Sequence, residues 1–106
     1  MPNVSISVST PGGISCSPDA VPAGTSPNVT ITFTLQTTGY RFASSNAIVV
    51  PSPSNQFPSP SITVSSNQVT LFDVNSDQNT YKYVVNLVRT SDNQPLSVDP
   101  TILNGQ

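Results

Sequence analysis

The chain has 106 residues, a length typical of one domain, and only 8% of them are charged, with a formal net charge of −2. Its basic residues are Arg41, Lys82 and Arg89, too few for the basic surface that nucleic-acid binding requires. No run approaches the roughly 20 apolar residues that span a bilayer as a helix. We therefore predict one domain over residues 1–106, with no nucleic-acid partner and no membrane partner.

Alternating hydrophobicity predicts β-strands along the whole chain. In 3–9 and in 28–36, Val, Ile, Phe or Leu alternate with Ser, Thr or Asn, the pattern of a half-buried strand. The predicted strands are 3–9, 14–16, 28–36, 40–42 with 47–50, 61–65, 68–74, 81–89 and 96–98. The proline-rich 17–27 is predicted as turns, and 51–60 as a crossover connection that Phe57 anchors in the core. The predicted fold class is all-β: a single antiparallel β-sandwich with an immunoglobulin-like Greek key and about seven to eight strands.

One local pattern supports this fold. Asp77-x-x-x-Tyr81-x-Tyr83 has the spacing of the immunoglobulin E–F corner, with Tyr83 in place of the second Cys. The pair of tyrosines has two interpretations. In a tyrosine corner, the Tyr81 hydroxyl bonds to the backbone near Asp77 and Tyr83 fills the core; alternatively, both rings form a platform for a sugar. The corner is favoured, because aromatic residues are core residues first.

Composition argues against catalysis. The chain contains no His and no Glu, so a Ser–His–Asp triad, a Cys–His pair and a His-based zinc site are excluded. Cys16 has no base or cation nearby in sequence, and we expect a buried, inert thiol. We predict that the protein is not an enzyme and binds no cofactor. The single cysteine agrees with a reducing compartment, and if Met1 is the native start, the expected location is the cytoplasm.

The loop after the predicted strand 68–74 contains the one metal-like pattern. Asp73, Asn75, Asp77 and Asn79 place oxygen atoms at alternate positions, as a calcium ion requires. An EF-hand loop would also need Gly at its sixth position and Glu at its twelfth, where this chain has Gln and Val. Asp and Asn also dominate turns, since their side chains bond the local backbone. These four residues are therefore weak calcium candidates, and a plain Asx-rich loop is favoured.

The chain ends on Val98-Asp99-Pro100-Thr101-Ile102-x-Asn104. Together with Tyr81-x-Tyr83-x-Val85, this ending resembles the DP-EP family of small bacterial proteins. The resemblance covers the last quarter of the chain, and elsewhere only its length and strand pattern. It implies an immunoglobulin-like β-sandwich and no assigned biochemical activity.

The residues of this ending favour a structural clasp over a binding site. Pro100 lacks an N–H, so we expect the last strand to end there or to become an edge. Asp99 is expected to accept hydrogen bonds from nearby backbone N–H groups, and Ile102 to close the open end of the core. Asp99, Pro100, Ile102, Tyr81 and Tyr83 are thus predicted structural residues.

The predicted function is a non-catalytic, soluble binding or structural module that self-associates into a homo-oligomer through edge strands. Small sandwiches leave edges that invite pairing, and this chain has few charges to prevent it. The alternative is a carbohydrate- or calcium-binding module at the cell surface.

Overall fold

The computed structural model describes residues 2–9, 13–51 and 55–105. Met1, Gln106, residues 10–12 and residues 52–54 lie outside this description, and with them part of the predicted crossover connection. The described residues form strands and connections without a helix, which confirms the all-β prediction. The strands are β1 (Asn3–Ser9), β2 (Gly13–Ser17), β3 (Ala20–Gly24), β4 (Val29–Leu35), β5 (Tyr40–Phe42), β6 (Ile48–Val49), β7 (Ile62–Ser65), β8 (Gln68–Asp73), β9 (Thr80–Lys82), β10 (Val84–Arg89), β11 (Gln94–Val98) and β12 (Thr101–Asn104).

These strands form three sheets. The first has five strands in the order β2-β1-β4-β8-β7, the second has the order β11-β10-β5 with β6 also on β10, and the third has the order β3-β12-β9. The prediction of seven to eight strands was wrong, since the described residues contain twelve. The prediction of antiparallel pairing throughout was also wrong, because β1 pairs with β4, and β3 with β12, in parallel.

Part of the excess in strand number comes from one interrupted hairpin. Val85 in β10 faces Val98 in β11, and Lys82 in β9 faces Thr101 in β12, so one antiparallel register continues across both strand pairs. The interruption lies at Pro100, which has no N–H to donate. The backbone N–H of Tyr83 still donates to the Pro100 carbonyl at 3.0 Å. Pro100 therefore ends β11 as predicted, but the chain resumes immediately as β12, which the sequence analysis missed.

Strand β3 is the other element that was missed. It lies within the proline-rich segment that was predicted to contain only turns. Val21 and Ala23 are buried in the core, whereas Pro22 between them is exposed. β3 is an outer strand of its sheet, and outer strands are where a proline is tolerated, because they can lack a donor on one side.

The buried side chains of all three sheets form one hydrophobic cluster. Phe33 of β4 meets Tyr83, between β9 and β10, with ring centroids 5.3 Å apart. The fully or almost fully buried apolar residues are Val4, Ile6, Val21, Ala23, Ile31, Phe33, Leu35, Phe42, Ala47, Ile48, Val69, Leu71, Tyr83, Val85, Leu87 and Ile102. This core supports a group of buried polar side chains at one end.

Candidate functional site

A cluster of polar side chains lies where the end of β12 meets the loop after β8. Gln56, Asp73, Asn75 and Asn104 are at most 5% exposed, and the partly buried Asp77 hydrogen-bonds to Asn104. We call these five residues the polar cluster. Burying a polar side chain costs free energy unless it is hydrogen-bonded. The hydrogen-bond partners of these five side chains therefore show which segments the cluster joins.

The loop after β8 is shaped by its own side chains. The Asp73 carboxylate accepts the backbone N–H of Asn75 at 2.9 Å, an Asx turn. Asn75 adopts a left-handed conformation with φ of 54°, which Asn tolerates better than most residues. Its side-chain amide donates to the carbonyls of Gly24 and Ser26, each at 2.8 Å. Asn75 thereby joins the loop to the end of β3.

The C-terminal residues of the described chain are seated on this loop. The Asn104 side-chain amide donates to Asp77 Oδ1 at 2.9 Å and to Gln56 Oε1 at 3.3 Å. The backbone N–H of Gly105 donates to Asn75 Oδ1 at 2.8 Å. Gln56 Oε1 also accepts the backbone N–H of Ser76 at 2.8 Å. The polar cluster therefore ties together three segments that are far apart in sequence.

Gly105 is needed at its position for a steric reason. Its φ is +76°, and a Cβ there would lie 2.6 Å from the Gln78 Cγ atom and 2.7 Å from the Asp77 carbonyl oxygen. Both distances are shorter than real Cβ contacts, and the second is to backbone. A larger residue would force the chain end away from the loop.

The two carboxylates of the cluster differ in their surroundings. Burial raises the pKa of the Asp73 carboxyl, although the backbone N–H of Asn75, which this carboxylate accepts, and the neighbouring Asn104 amide oppose the shift. Burial also acts to raise the pKa of the Asp77 carboxyl, but hydrogen bonds from Tyr81, Asn104 and Asn79 lower it overall. In the described residues, both ion pairs lie elsewhere, between Lys82 and Asp99 and between Arg89 and Asp92. Neither carboxylate thus has a basic partner among the residues that the structure describes.

Two oxygen atoms of the cluster are buried without a hydrogen-bond partner among the described residues: Asp73 Oδ2 and Asn104 Oδ1. The Tyr83 hydroxyl, in the core, shares this property. Unsatisfied buried oxygens are rare in folded proteins and call for an explanation such as a bound ion or water.

The cluster borders a surface pocket of about 360 Å³. Thr25, Pro27, Ser76 and Gln78 line it together with Asn75, Asp77 and Gly105. Of the cluster, Asn75 and Asp77 line this pocket, whereas Gln56, Asp73 and Asn104 lie behind them, outside its lining.

The structure brings together three of the four calcium candidates, Asp73, Asn75 and Asp77. Asn79 lies at the margin, where its side-chain amide donates to Asp77 Oδ2 at 3.0 Å. Gln56 and Asn104 were missed as cluster members. Asn104 belonged to the C-terminal motif, but Gln56 had no signal in the sequence. No group of three or more His, Cys, Asp or Glu residues that could hold a metal occurs in the part of the chain that the structure describes.

The two tyrosines have separate environments. The Tyr81 hydroxyl donates to the Asp77 carboxylate, so the predicted bond to the backbone was wrong in its acceptor. The Tyr81 ring packs edge-on against Phe57, with centroids 5.2 Å apart. Tyr83 is fully buried and has no surface to offer a sugar. The carboxylate is the stronger acceptor for Tyr81 because it is charged.

The residues of the predicted clasp differ in burial. Pro100 and Ile102 are buried. The Asp99 side chain is 71% exposed and lies 3.9 Å from the Lys82 ammonium. Among the described residues, no backbone N–H donates to the Asp99 carboxylate, contrary to prediction. Ile102 therefore joins this segment to the core, and Asn104 and Gly105 join it to the polar cluster.

No family model matches this chain, and no curated protein matches it in sequence. The resemblance to the DP-EP family thus remains a prediction from the residues. Within the described residues, no helix is long and apolar enough to cross a membrane.

Proposed function

We propose that this protein is a non-catalytic module with an immunoglobulin-like β-sandwich fold, and that it binds a second copy of itself through strand β7. The observation that carries the proposal is the pair of exposed apolar side chains on this edge strand. The strand order, the unpaired edge of β7 and the lack of charge on its sheet also support the proposal.

The strand order supports the immunoglobulin-like fold. In such a sandwich, one sheet has the order A-B-E-D and the other has the order G-F-C. Here β1-β4-β8-β7 and β11-β10-β5 follow these two orders. The hairpin register that β9–β10 and β11–β12 share joins the third sheet to the second, which leaves two layers. The parallel pairing of β1 with β4 departs from the immunoglobulin pattern.

Strand β7 exposes apolar surface at the edge of the five-stranded sheet. Ile62 is 64% exposed and Val64 is 58% exposed, and these are the exposed large hydrophobic residues of the described chain. Among the described strands, β7 pairs only with β8, so its other side presents backbone groups that no described strand pairs. Exposed apolar side chains on an unpaired edge are typical of a surface that a partner covers.

The other outer strands are better protected than β7. Proteins prevent edge pairing with proline or charge. Four of the other outer strands each contain one proline or charged residue: Pro22 in β3, Arg41 in β5, Lys82 in β9 and Pro95 in β11. β2 has neither, but its apolar residues, Ile14 and Cys16, pack against the core. β6 also has neither, but it is only two residues long and its Ile48 is buried. β7 has neither and keeps both apolar residues in solvent.

The five-stranded sheet lacks the charge that would oppose self-association. The only charged residue in its strands is Asp73, at the end of β8, and this residue is buried. Two copies can therefore approach through this edge without desolvating a charge or placing like charges together.

We infer a two-fold contact, because a closed pair covers the same patch on both copies. A bulge between Thr63 and Ser65 interrupts the pairing of β7 with β8, and bulges limit how far a strand ladder can extend. Packing of Ile62 and Val64 against their copies then supplies most of the contact. An interface built on a four-residue strand is small, so we expect a weak, concentration-dependent dimer.

Sedimentation velocity from micromolar to millimolar protein tests the proposal. The parent chain should shift from monomer towards dimer as concentration rises, and Val64→Lys should stay monomeric. Ser97→Lys is the matched control, because it adds the same charge at an exposed position of another outer strand, β11. A parent chain that is monomeric over the whole range, or a control that dissociates as fully as Val64→Lys, would exclude β7 as the contact.

A further inference from the structure

The polar cluster has an arrangement that its structural role leaves unexplained. The side-chain nitrogen of Asn104 lies among oxygen atoms, at 2.9 Å from Asp77 Oδ1 and 3.3 Å from Gln56 Oε1. The Asp73 carboxylate belongs to the same network, because it accepts the backbone N–H of Asn75, and the Asn75 side-chain oxygen accepts the backbone N–H of Gly105, the residue after Asn104. A neutral N–H₂ group therefore lies between a carboxylate oxygen and an amide oxygen.

Two oxygen atoms of the polar cluster are left unsatisfied among the described residues. Asp73 Oδ2 and Asn104 Oδ1 are buried without a hydrogen-bond partner in the described residues, and both side chains are 0% exposed. An amide donates through nitrogen and accepts through oxygen, and the two atoms exchange places when the group rotates by half a turn. Rotation of the Asn104 amide would turn its oxygen towards Asp77 and Gln56. Oxygen atoms brought together in this way repel one another unless a cation lies among them.

We propose that the polar cluster is a calcium-binding site formed by the side-chain oxygens of Asp73, Asp77, Asn104 and Gln56. Binding turns the Asn104 oxygen towards the ion and gives the free oxygen of Asp73 a ligand role. The set differs from the alternate-residue pattern of the loop: Asn75 is not a ligand, because its amide is bonded to Gly24, Ser26 and Gly105.

The chemistry of these residues fits calcium better than magnesium. Calcium takes six to eight oxygen ligands at about 2.3–2.6 Å in irregular geometry, and it accepts amide oxygens and water. Magnesium requires a near-ideal octahedron and loses its water reluctantly. Asp73 and Asp77 balance the charge of the ion, and neither forms an ion pair with a basic group in the described part of the chain. The remaining ligands are water molecules from the bordering pocket of about 360 Å³.

The experiment is calcium titration of the full chain after chelator treatment, by calorimetry and by thermal unfolding. We expect saturable binding and a rise in Tm with calcium that magnesium at the same concentration does not reproduce. Asp77→Asn keeps the size of the side chain and removes one charge, and we expect it to weaken calcium binding by at least roughly tenfold. Asp99→Asn is the matched control, because it removes the same charge from an exposed side chain outside the cluster.

A second readout does not depend on a variant that folds. In ¹⁵N-labelled parent protein, the side-chain amide signals of Asn104 should shift with calcium and follow the calorimetric binding curve. The absence of both heat and Tm change up to millimolar calcium would overturn the proposal. So would calcium binding that leaves the Asn104 amide signals in place, or binding that Asp99→Asn weakens as much as Asp77→Asn.

Discussion

Replacing Ile102 by Ala should destabilise this protein far more than replacing the nearby Asp99 by Asn. Ile102 is 0% exposed and faces Val21 in β3 and Tyr81 in β9, so it joins the chain end to both neighbouring strands. Truncating a buried Ile to Ala costs about 2–5 kcal/mol, because apolar contact is lost and a cavity remains. Against a total stability of about 5–15 kcal/mol, this is a large fraction.

The Asp99 variant should be nearly neutral. Its carboxylate is 71% exposed and lies 3.9 Å from the ammonium of Lys82, whose side chain is 66% exposed. Surface ion pairs of this kind contribute about 0–1 kcal/mol. The two substitutions are three residues apart, so their comparison separates packing of the chain end from its charge.

Urea unfolding followed by tyrosine fluorescence measures the difference, since the chain has no Trp. Low protein concentration keeps self-association out of the measurement. We expect the midpoint of Ile102→Ala to fall by roughly 1 M or more, and that of Asp99→Asn to stay close to the parent value. Equal midpoints for the two variants, or a parent-like midpoint for Ile102→Ala, would refute the view that apolar packing holds the chain end.

Two further predictions concern other parts of the molecule. Gly105→Ala should destabilise the protein more than Gly39→Ala. Both residues have positive φ, but a Cβ meets neighbouring atoms only at Gly105, whereas nothing lies within 4 Å at Gly39. The Gly39→Ala control should therefore cost only the roughly 1–2 kcal/mol of a left-handed backbone, and equal loss of Tm in the two variants would contradict the steric argument. Burial, together with the nearby Asp19, raises the pKa of the Cys16 thiol to about 11. Since the thiolate is the reactive form, native protein should react slowly with iodoacetamide at pH 8 and progressively faster as the pH approaches 11, and a rate that levels off near pH 9 would show an unperturbed thiol.

The sequence predicts those parts of the fold that local pattern determines. The alternation in 3–9 and 28–36 corresponds to β1 and β4, and the hairpin predicted from 61–65 and 68–74 corresponds to β7 and β8. Strands β3 and β12 were missed because β3 contains a proline, Pro22, and β12 directly follows one, Pro100. Each is held by the other in parallel pairing across about 80 positions of sequence, and local propensity contains no information on such a partner.

Only part of the candidate site was predicted, because its other residues come from distant segments of the sequence. The Asp and Asn residues after β8 are recognisable in sequence, because their spacing is that of both turns and oxygen-ligand sites. Gln56 and Asn104 enter the same cluster from segments 48 residues apart. Neither has a distinctive local pattern, and only the packing of the chain end on the loop brings them together. The acceptor of the Tyr81 hydroxyl was predicted wrongly, because spacing alone does not show whether this hydroxyl meets the backbone or the carboxylate of Asp77. The charged carboxylate is the stronger acceptor.

Disulfide trapping tests self-association through β7 most directly. Val64 lies near the middle of β7, so the proposed two-fold axis through the strand would bring the two copies of this residue within reach of a disulfide. A disulfide requires Cα atoms no more than about 7 Å apart. In a Cys16→Ser background, we expect Val64→Cys to form a covalent dimer under mild oxidation at the concentrations where the parent chain associates. Ser97→Cys, at the exposed position on β11, should remain largely monomeric. Equal dimer yield from the two variants, or none from Val64→Cys, would contradict association through β7.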